Sequence, residues 1–378
     1  MNIAQVSHCY RPSIGGIENY VYRLNESARA NGHTVTTYTT DLSRHNEDSP
    51  LPTESAVHYC ETTASILRNP LSIELHRRIR SSDHDLYHVH SPWFLSTLVA
   101  AHAVPEDAPV VMTVHGADIR ATGPLVRGLD LAYRPLAGYV FDRVDHTIAL
   151  GTTERQYLLD RFDLQPSAVS VVPNGIYPEE FAVSDGALAQ FCKRHRLDPD
   201  VPTILYVSRL TPEKNPRTFV DAIADHLPDR ELQALVVGTG QQSMLDNLQA
   251  RADDRIRYLS NLPEEALQAA YHAATVFVFL GTWEGLPTVI LEAMAAGASV
   301  VTTEVGAIPD VVEEDANGQL LPESPAPRRV ADAIEYYLDR PEERSAVARR
   351  NRERVEQQYH WNDVAPSILD IYKDVADE

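Results

Sequence analysis

The stretch Thr282–Gly297, TWEGLPTVILEAMAAG, decides how the rest of the chain is read. Before it stands Val276–Leu280 (VFVFL), an apolar run that reads as a buried strand. Pro287 suits the first turn of a helix, where a missing N–H costs little. Ile290, Leu291, Ala293, Met294 and Ala295 carry the helix on, and Gly297 stops it. Ala298–Thr303 (ASVVTT) is the next strand, so the segment predicts one right-handed βαβ unit. Two acids interrupt the apolar pattern. Glu284 falls in the loop at the carboxyl end of the first strand, and Glu292 on the apolar side of the helix. A buried carboxylate without a partner is costly; the sugar hydroxyls of a nucleotide ligand would supply the missing hydrogen bonds. A capping acid and a partly exposed helix glutamate are the plainer alternative. The loop also aims helix N–H groups at the strand mouth, where a phosphate would bind.

The remaining sequence repeats this pattern twice over. In the first half, strands are expected at Asn2–Ser7, Val35–Thr39, Leu86–His90, Val110–His115, His146–Leu150 and Val169–Val172. Helices are expected at Ile17–Ala30, Pro70–Arg80, Pro92–His102, about Pro124–Val144 and Thr153–Leu164. A turn-rich segment, Pro173–Phe181, leads into a polar connector containing proline. A second series then has strands at Thr203–Val207, Leu232–Val237, Ile256–Leu259, Val276–Leu280, Ser299–Thr302 and Gln319–Leu321, with helices between them. Helices at about Pro327–Leu338, Pro341–Gln358 and Trp361–Val375 close the chain. Strands separated by helices mean parallel sheets covered on both faces. The expected class is therefore α/β, with two Rossmann-like doubly wound domains facing a central cleft, a natural place for a ligand.

Composition narrows the function. A chain of 378 residues with 43% hydrophobic side chains is enough for two domains with real cores. No run of about 18 apolar residues is present, and MNIAQVSHCY reads as a first strand, not a signal peptide. Cys9, Cys60 and Cys192 are too few and too scattered for a disulfide framework or a zinc site, which suits a reducing cytoplasm. The net charge of −21 disfavours a nucleic-acid partner. There are three lysines, Lys193, Lys214 and Lys373, against thirty arginines. Acid excess with little lysine suggests a halophile surface suited to concentrated salt. The excess is uneven: residues 1–173 hold 14 basic and 19 acidic side chains, residues 174–378 hold 19 and 35. Arg68–Arg80 and Arg120–Arg143 are locally basic, which fits either a face for an anionic membrane or ordinary amphipathic helices.

Several strand ends carry candidate chemistry. SRLTPEKN (Ser208–Asn215) follows Thr203–Val207 and offers Arg209 and Lys214 where parallel sheets bind ligands. Two cations there would hold a nucleotide diphosphate and neutralise it as it leaves. VVGTG (Val236–Gly240) places Gly238 and Gly240 at the next strand end, and YLSNLPEE (Tyr258–Glu265) follows with Leu262. In the first half, SIGGIEN (Ser13–Asn19) sets Gly15 and Gly16 before a helix, without the spacing of a dinucleotide fingerprint. TVHGADI (Thr113–Ile119) and HSPW (His90–Trp93) end two more strands. His88 and His90 share a strand face but lack a third metal ligand. Asp83-His84-Asp85 has the Asp-x-Asp form of a manganese site but lies at the amino end of a strand, and is read as turn chemistry.

Together these residues carry a resemblance. Glu284-Gly-Leu-Pro-Thr-Val-Ile-Leu-Glu292-Ala-Met-Ala-Ala-Gly resembles the Glu-x7-Glu signature of the retaining glycosyltransferases of family 4, which have the GT-B fold. Ser208–Asn215 resembles that family's Arg-x4-Lys loop, and Ser13–Asn19 its Gly-Gly loop. Many relatives carry a second glycine near Leu286–Pro287, where this chain has proline. Tyr359–Val375 resembles the family's final helix, which crosses back to the first domain. The resemblance implies a first domain over 1–175 with a helix from about 360–378 packed back on it, and a nucleotide-sugar domain over 176–359. It implies a hexosyltransferase-type enzyme that passes a sugar from a UDP- or GDP-sugar to an acceptor hydroxyl with retention, without a metal or other cofactor. A lipid-linked or cell-envelope glycan is the expected acceptor, with the protein cytoplasmic or peripheral at the cytoplasmic membrane face. Catalytic roles would fall to Glu284, His115, Arg209 and Lys214. Gly15, Gly16, Gly238, Gly240, Leu262, Leu286, Pro287, Thr288 and Glu292 would line the donor site, and His90 and Asp118 the acceptor side. A sugar-nucleotide isomerase or epimerase of the same fold, or an inactive relative kept for binding, are the alternatives.

Overall fold

Strand and helix alternate through two parallel sheets in the computed structural model of the protein. It describes residues 1–13, 15–43, 56–66, 69–116 and 124–377, with residues 43 and 124–132 described by backbone alone. The chain divides into two units, one of Met1–Gly175 with Trp361–Glu378, the other of Ile176–His360.

In the first unit β1 (Asn2–Val6) leads to α1 (Gly16–Ala30), β2 (Thr34–Thr40), β3 (Val57–Cys60) and a short pair, β4 (Ala64–Ile66) with β5 (Asn69–Leu71). Then come α2 (Ile73–Arg80), β6 (Leu86–His90), α3 (Leu95–Ala103), β7 (Val110–Val114), α4 (Pro124–Phe141), β8 (His146–Ala149), α5 (Thr152–Phe162) and β9 (Val169–Val171). The sheet runs β3-β2-β1-β6-β7-β8-β9, and its paired strands are parallel. β6 and β7 are buried at every position, as expected of central strands covered on both faces.

The second unit begins with α6 (Asp185–His195) and β10 (Thr203–Val207), followed by α7 (Pro216–His226), β11 (Gln233–Val237), α8 (Gln242–Gln249) and β12 (Ile256–Leu259). It continues through α9 (Glu264–Ala273), β13 (Val276–Phe279), α10 (Thr288–Ala296), β14 (Ser299–Thr303), α11 (Ile308–Val311) and β15 (Gly318–Leu321), ending in α12 (Pro327–Leu338) and α13 (Pro341–Gln358). The final helix, α14 (Trp361–Asp377), packs against α1 in the first unit. The sheet order β12-β11-β10-β13-β14-β15 reverses direction between β10 and β13. A parallel sheet opens a crevice at such a reversal, beyond the carboxyl ends of the two strands.

Three expectations about elements are corrected. The helix expected from Pro70 starts at Ile73, because Ser72 caps it by accepting from Leu75 N at 3.1 Å; Pro70 sits in β5, opposite Ser65. The helix expected from Pro92 starts at Leu95, whose N–H donates to Asn69 Oδ1 at 2.8 Å. Part of the polar connector is α6, capped by Ser184, which accepts from Ala187 N at 3.3 Å.

Among the described residues no helix is long and apolar enough to cross a membrane. Asp85 accepts the Asn2 N–H at 2.6 Å and the Asp83 carbonyl accepts from Asn2 Nδ2 at 3.0 Å, so this acidic turn ties the entry of β6 to that of β1.

Candidate active site

In the second unit the reversal brings together residues 70 positions apart. Lys214 ends a short 3-10 turn, Pro212–Lys214, after β10, and Glu284 lies beyond β13. Their side chains form an ion pair in which each is only 12% exposed. The turn is anchored by Tyr206, buried in β10, whose hydroxyl donates to the Lys214 carbonyl and accepts from Ser208 Oγ at 2.9 Å. Asn215, at φ 52°, reaches across to β13 and donates through Nδ2 to the Leu280 carbonyl at 3.0 Å. Thr282 N donates to the Glu213 carbonyl at 2.9 Å. The two loops are thus tied by a side-chain and a backbone hydrogen bond, which holds the ion pair in place. Arg209 stands exposed on the same β10 loop.

A third loop holds Glu284 from behind. Ala307 N donates to the Gly285 carbonyl at 3.0 Å, and Gly306 has φ +56°. A Cβ on Gly306 would lie 2.0 Å from the Glu284 carbonyl oxygen, so only glycine fits that approach. Gly238, at the end of β11, is packed so that a Cβ would meet the Ser208 carbonyl at 1.8 Å. This close approach, with the Leu210–Gly240 bridge, joins the glycine turn to the loop of Arg209. Leu262 is half-buried just past β12, and Leu286 is buried at the mouth of α10. Pro287 caps that helix with extended backbone and is not in its first turn; Thr288 opens it.

Burial sets the charge balance. It raises the Glu284 carboxyl above its usual value, and the Lys214 ammonium pulls it back only in part. A carboxyl raised by folding favours the folded chain most when protonated. That contribution is full below the unfolded pKa and is lost as pH rises through the folded one. If ionised Glu284 is the working form, kcat/KM should fall as pH drops through that raised value. Its acid limb should lie above the ordinary carboxylate range, and Lys214→Ala should move the limb higher still; a limb at the usual carboxylate value in both would refute this. Glu292, on α10, does not meet Glu284. Its carboxyl is also raised by burial, and the neighbouring hydroxyls of Tyr271 and Thr288 pull it back in part. The sequence did not reveal these neighbours.

The first unit brings another set together. His115 lies just past β7, half-buried, with its N–H donating to Ser91 Oγ at 3.0 Å. Its ring meets His90, buried at the end of β6, with Nε2 3.1 Å from His90 Nδ1. Tyr20 of α1 packs edge-on against His115, ring centroids 4.8 Å apart. Glu154, buried in α5, accepts from Gly116 N at 2.8 Å and Leu150 N at 2.7 Å, bracing the ends of β7 and β8. Nothing in the sequence marked this brace. Gly15 and Gly16 stand at the start of α1, where the Glu18 carboxylate folds back so that a Cβ on Gly15 would meet it at 2.2 Å. Asp118 lies outside the described residues.

Two family profiles cover most of the chain. Residues 14–180 match the one described as Glycosyltransferase Family 4, and residues 190–354 the one described as Glycosyl transferases group 1. The chain is 30% identical over 351 residues to the D-inositol 3-phosphate glycosyltransferase of Acidothermus cellulolyticus, covering 87% of this chain and 75% of the relative. The chain belongs to glycosyltransferase family 4. It is also 26% identical to the phosphatidyl-myo-inositol mannosyltransferase of Mycobacterium tuberculosis, over 96% of this chain and 94% of that one. The fold of this family 4 glycosyltransferase is GT-B. It superposes on the Anabaena protein HepE in complex with UDP with a TM-score of 0.80 at 16% identity, covering 99% and 100% of the two chains. It superposes on sucrose-phosphate synthase from Thermosynechococcus elongatus with a TM-score of 0.82 at 21% identity, covering 99% and 98%.

Proposed function

We propose that this glycosyltransferase moves a sugar from a UDP- or GDP-sugar to an acceptor hydroxyl with retention of configuration at the sugar carbon. The observation that carries the reading is the Lys214–Glu284 pair at the reversal of the second sheet, with Arg209 on the same loop. Positive charge and carboxylate stand side by side there, as a sugar diphosphate requires. As the bond from the sugar carbon to the diphosphate breaks, Arg209 and Lys214 take up the negative charge. Glu284 accepts hydrogen bonds from the sugar hydroxyls, Glu292 from the ribose, and His115 meets the transferred sugar. The acceptor oxygen bonds to the sugar carbon on the face the diphosphate leaves, and its proton passes to the departing phosphate. No protein nucleophile is invoked.

Two cations replace the charge that a bound metal would bring, so EDTA should leave most of the activity; complete loss, restored by a divalent ion, would overturn this. The similarity to a D-inositol 3-phosphate glycosyltransferase and a phosphatidyl-myo-inositol mannosyltransferase favours a lipid-linked or phosphorylated polyol acceptor here. The α2 helix suits such a partner, with Arg77 and the 49%-exposed Ile73 four residues apart on one face. Arg77→Glu with Arg78→Glu should weaken binding to anionic liposomes, and unchanged binding would remove the membrane from the proposal. The defining experiment is incubation with UDP- and GDP-sugars in high salt, with thermal stabilisation and product configuration read together. A product of inverted configuration, or sugar-nucleotide isomerisation without any acceptor, would refute the reading.

A further inference from the structure

We infer that a buried relay running from Tyr372 in the last helix through Gln5 and His90 fixes the tautomer of His115, leaving its Nδ1 as a hydrogen-bond acceptor. This rests on the reading that His115 meets the transferred sugar. Gln5, His88 and His90 are fully buried, as is Tyr372. Gln5 Nε2 donates to the Tyr372 hydroxyl at 3.1 Å, which directs the amide oxygen to the other side, 2.9 Å from His90 Nε2. An amide oxygen only accepts, so His90 carries its hydrogen on Nε2. A neutral imidazole has one N–H, so His90 Nδ1 is bare and must accept from its neighbour, His115 Nε2, at 3.1 Å. His115 then carries its hydrogen on Nε2 and presents Nδ1 as a lone pair.

The other branch agrees in direction. The Tyr372 hydroxyl, already accepting from Gln5, donates its own hydrogen to His88 Nδ1 at 2.5 Å. His88 Nε2 in turn donates to Thr113 Oγ1 at 2.9 Å. Burial keeps the rings neutral: His88 and His115 are both lowered to about 3, and His90 is held well below its usual value. A neutral ring with a bare Nδ1 accepts from a sugar hydroxyl and repels a phosphate oxygen. The relay therefore makes His115 select a hydroxyl-bearing position on the sugar. Gln5, His90 and Tyr372 are positioning residues, acting through His115.

The test is long-range proton–nitrogen NMR on the full chain labelled with 15N-histidine, with His115 assigned by its absence in His115→Ala. The wild type should show His115 protonated on Nε2. Gln5→Leu should give a mixture of tautomers and lower kcat about tenfold, the worth of one neutral hydrogen bond, with KM for the donor changed less than twofold. An unchanged far-UV circular dichroism spectrum guards against a folding defect in the leucine variant. His115 protonated on Nδ1 in the wild type, or a tautomer unmoved by Gln5→Leu, would overturn the relay. An unchanged turnover in His115→Ala would instead overturn the sugar contact on which it rests.

Discussion

Lys214→Ala is expected to lower kcat by about 10²–10³-fold, the usual loss when one preorganised donor to a developing anion is removed. The ammonium is held by its ion pair with Glu284 and by a turn whose carbonyl is fixed by Tyr206. The substitution removes charge at the leaving diphosphate and also strands a buried carboxylate. Breaking a buried pair in this way costs about 3–5 kcal/mol when the remaining charge persists. Glu284 has a route out, since burial already raises its pKa: it takes up a proton. The variant should therefore stay folded, with a modest fall in Tm, while UDP or GDP binding weakens along with turnover. Turnover within twofold of wild type would refute the assigned role.

Glu284→Gln should behave differently, and the contrast is what makes the pair informative. The amide keeps the shape but loses the charged acceptor, so kcat should fall roughly 10- to 100-fold, as for a lost charge-assisted hydrogen bond. Nucleotide affinity should hold or improve, because Lys214 is freed and a negative group beside the diphosphate is gone. The lysine variant thus loses binding and rate together, and the glutamine variant rate alone. Equal loss of nucleotide affinity in both would show that the two side chains act only as a structural pair.

How much of this was legible in the sequence depended on the range of the contacts. The βα alternation is local, so the central strands of both sheets were marked by their apolar runs. Lys214 stood out because the chain has only three lysines. β3 and the β4–β5 pair are short and partly polar and gave no periodic signal. The α6 helix opens SDG, which reads as a turn until Ser184 is seen capping it. The neighbours of Glu292 were hidden for a different reason. Tyr271 belongs to the preceding helix and reads as a core aromatic, and it comes beside the carboxylate only once α9 and α10 pack together. The relay was the least visible, since Gln5 and Tyr372 lie 367 residues apart and meet only because α14 belongs to the first unit.

The most direct measurement is a crystal structure with UDP or GDP bound. The two phosphates should lie within hydrogen-bond reach of Arg209 and Lys214, with the ribose hydroxyls on Glu292. Phosphates bound elsewhere, with the Lys214–Glu284 pair untouched, would contradict the assignment of this site as the one that grips the donor.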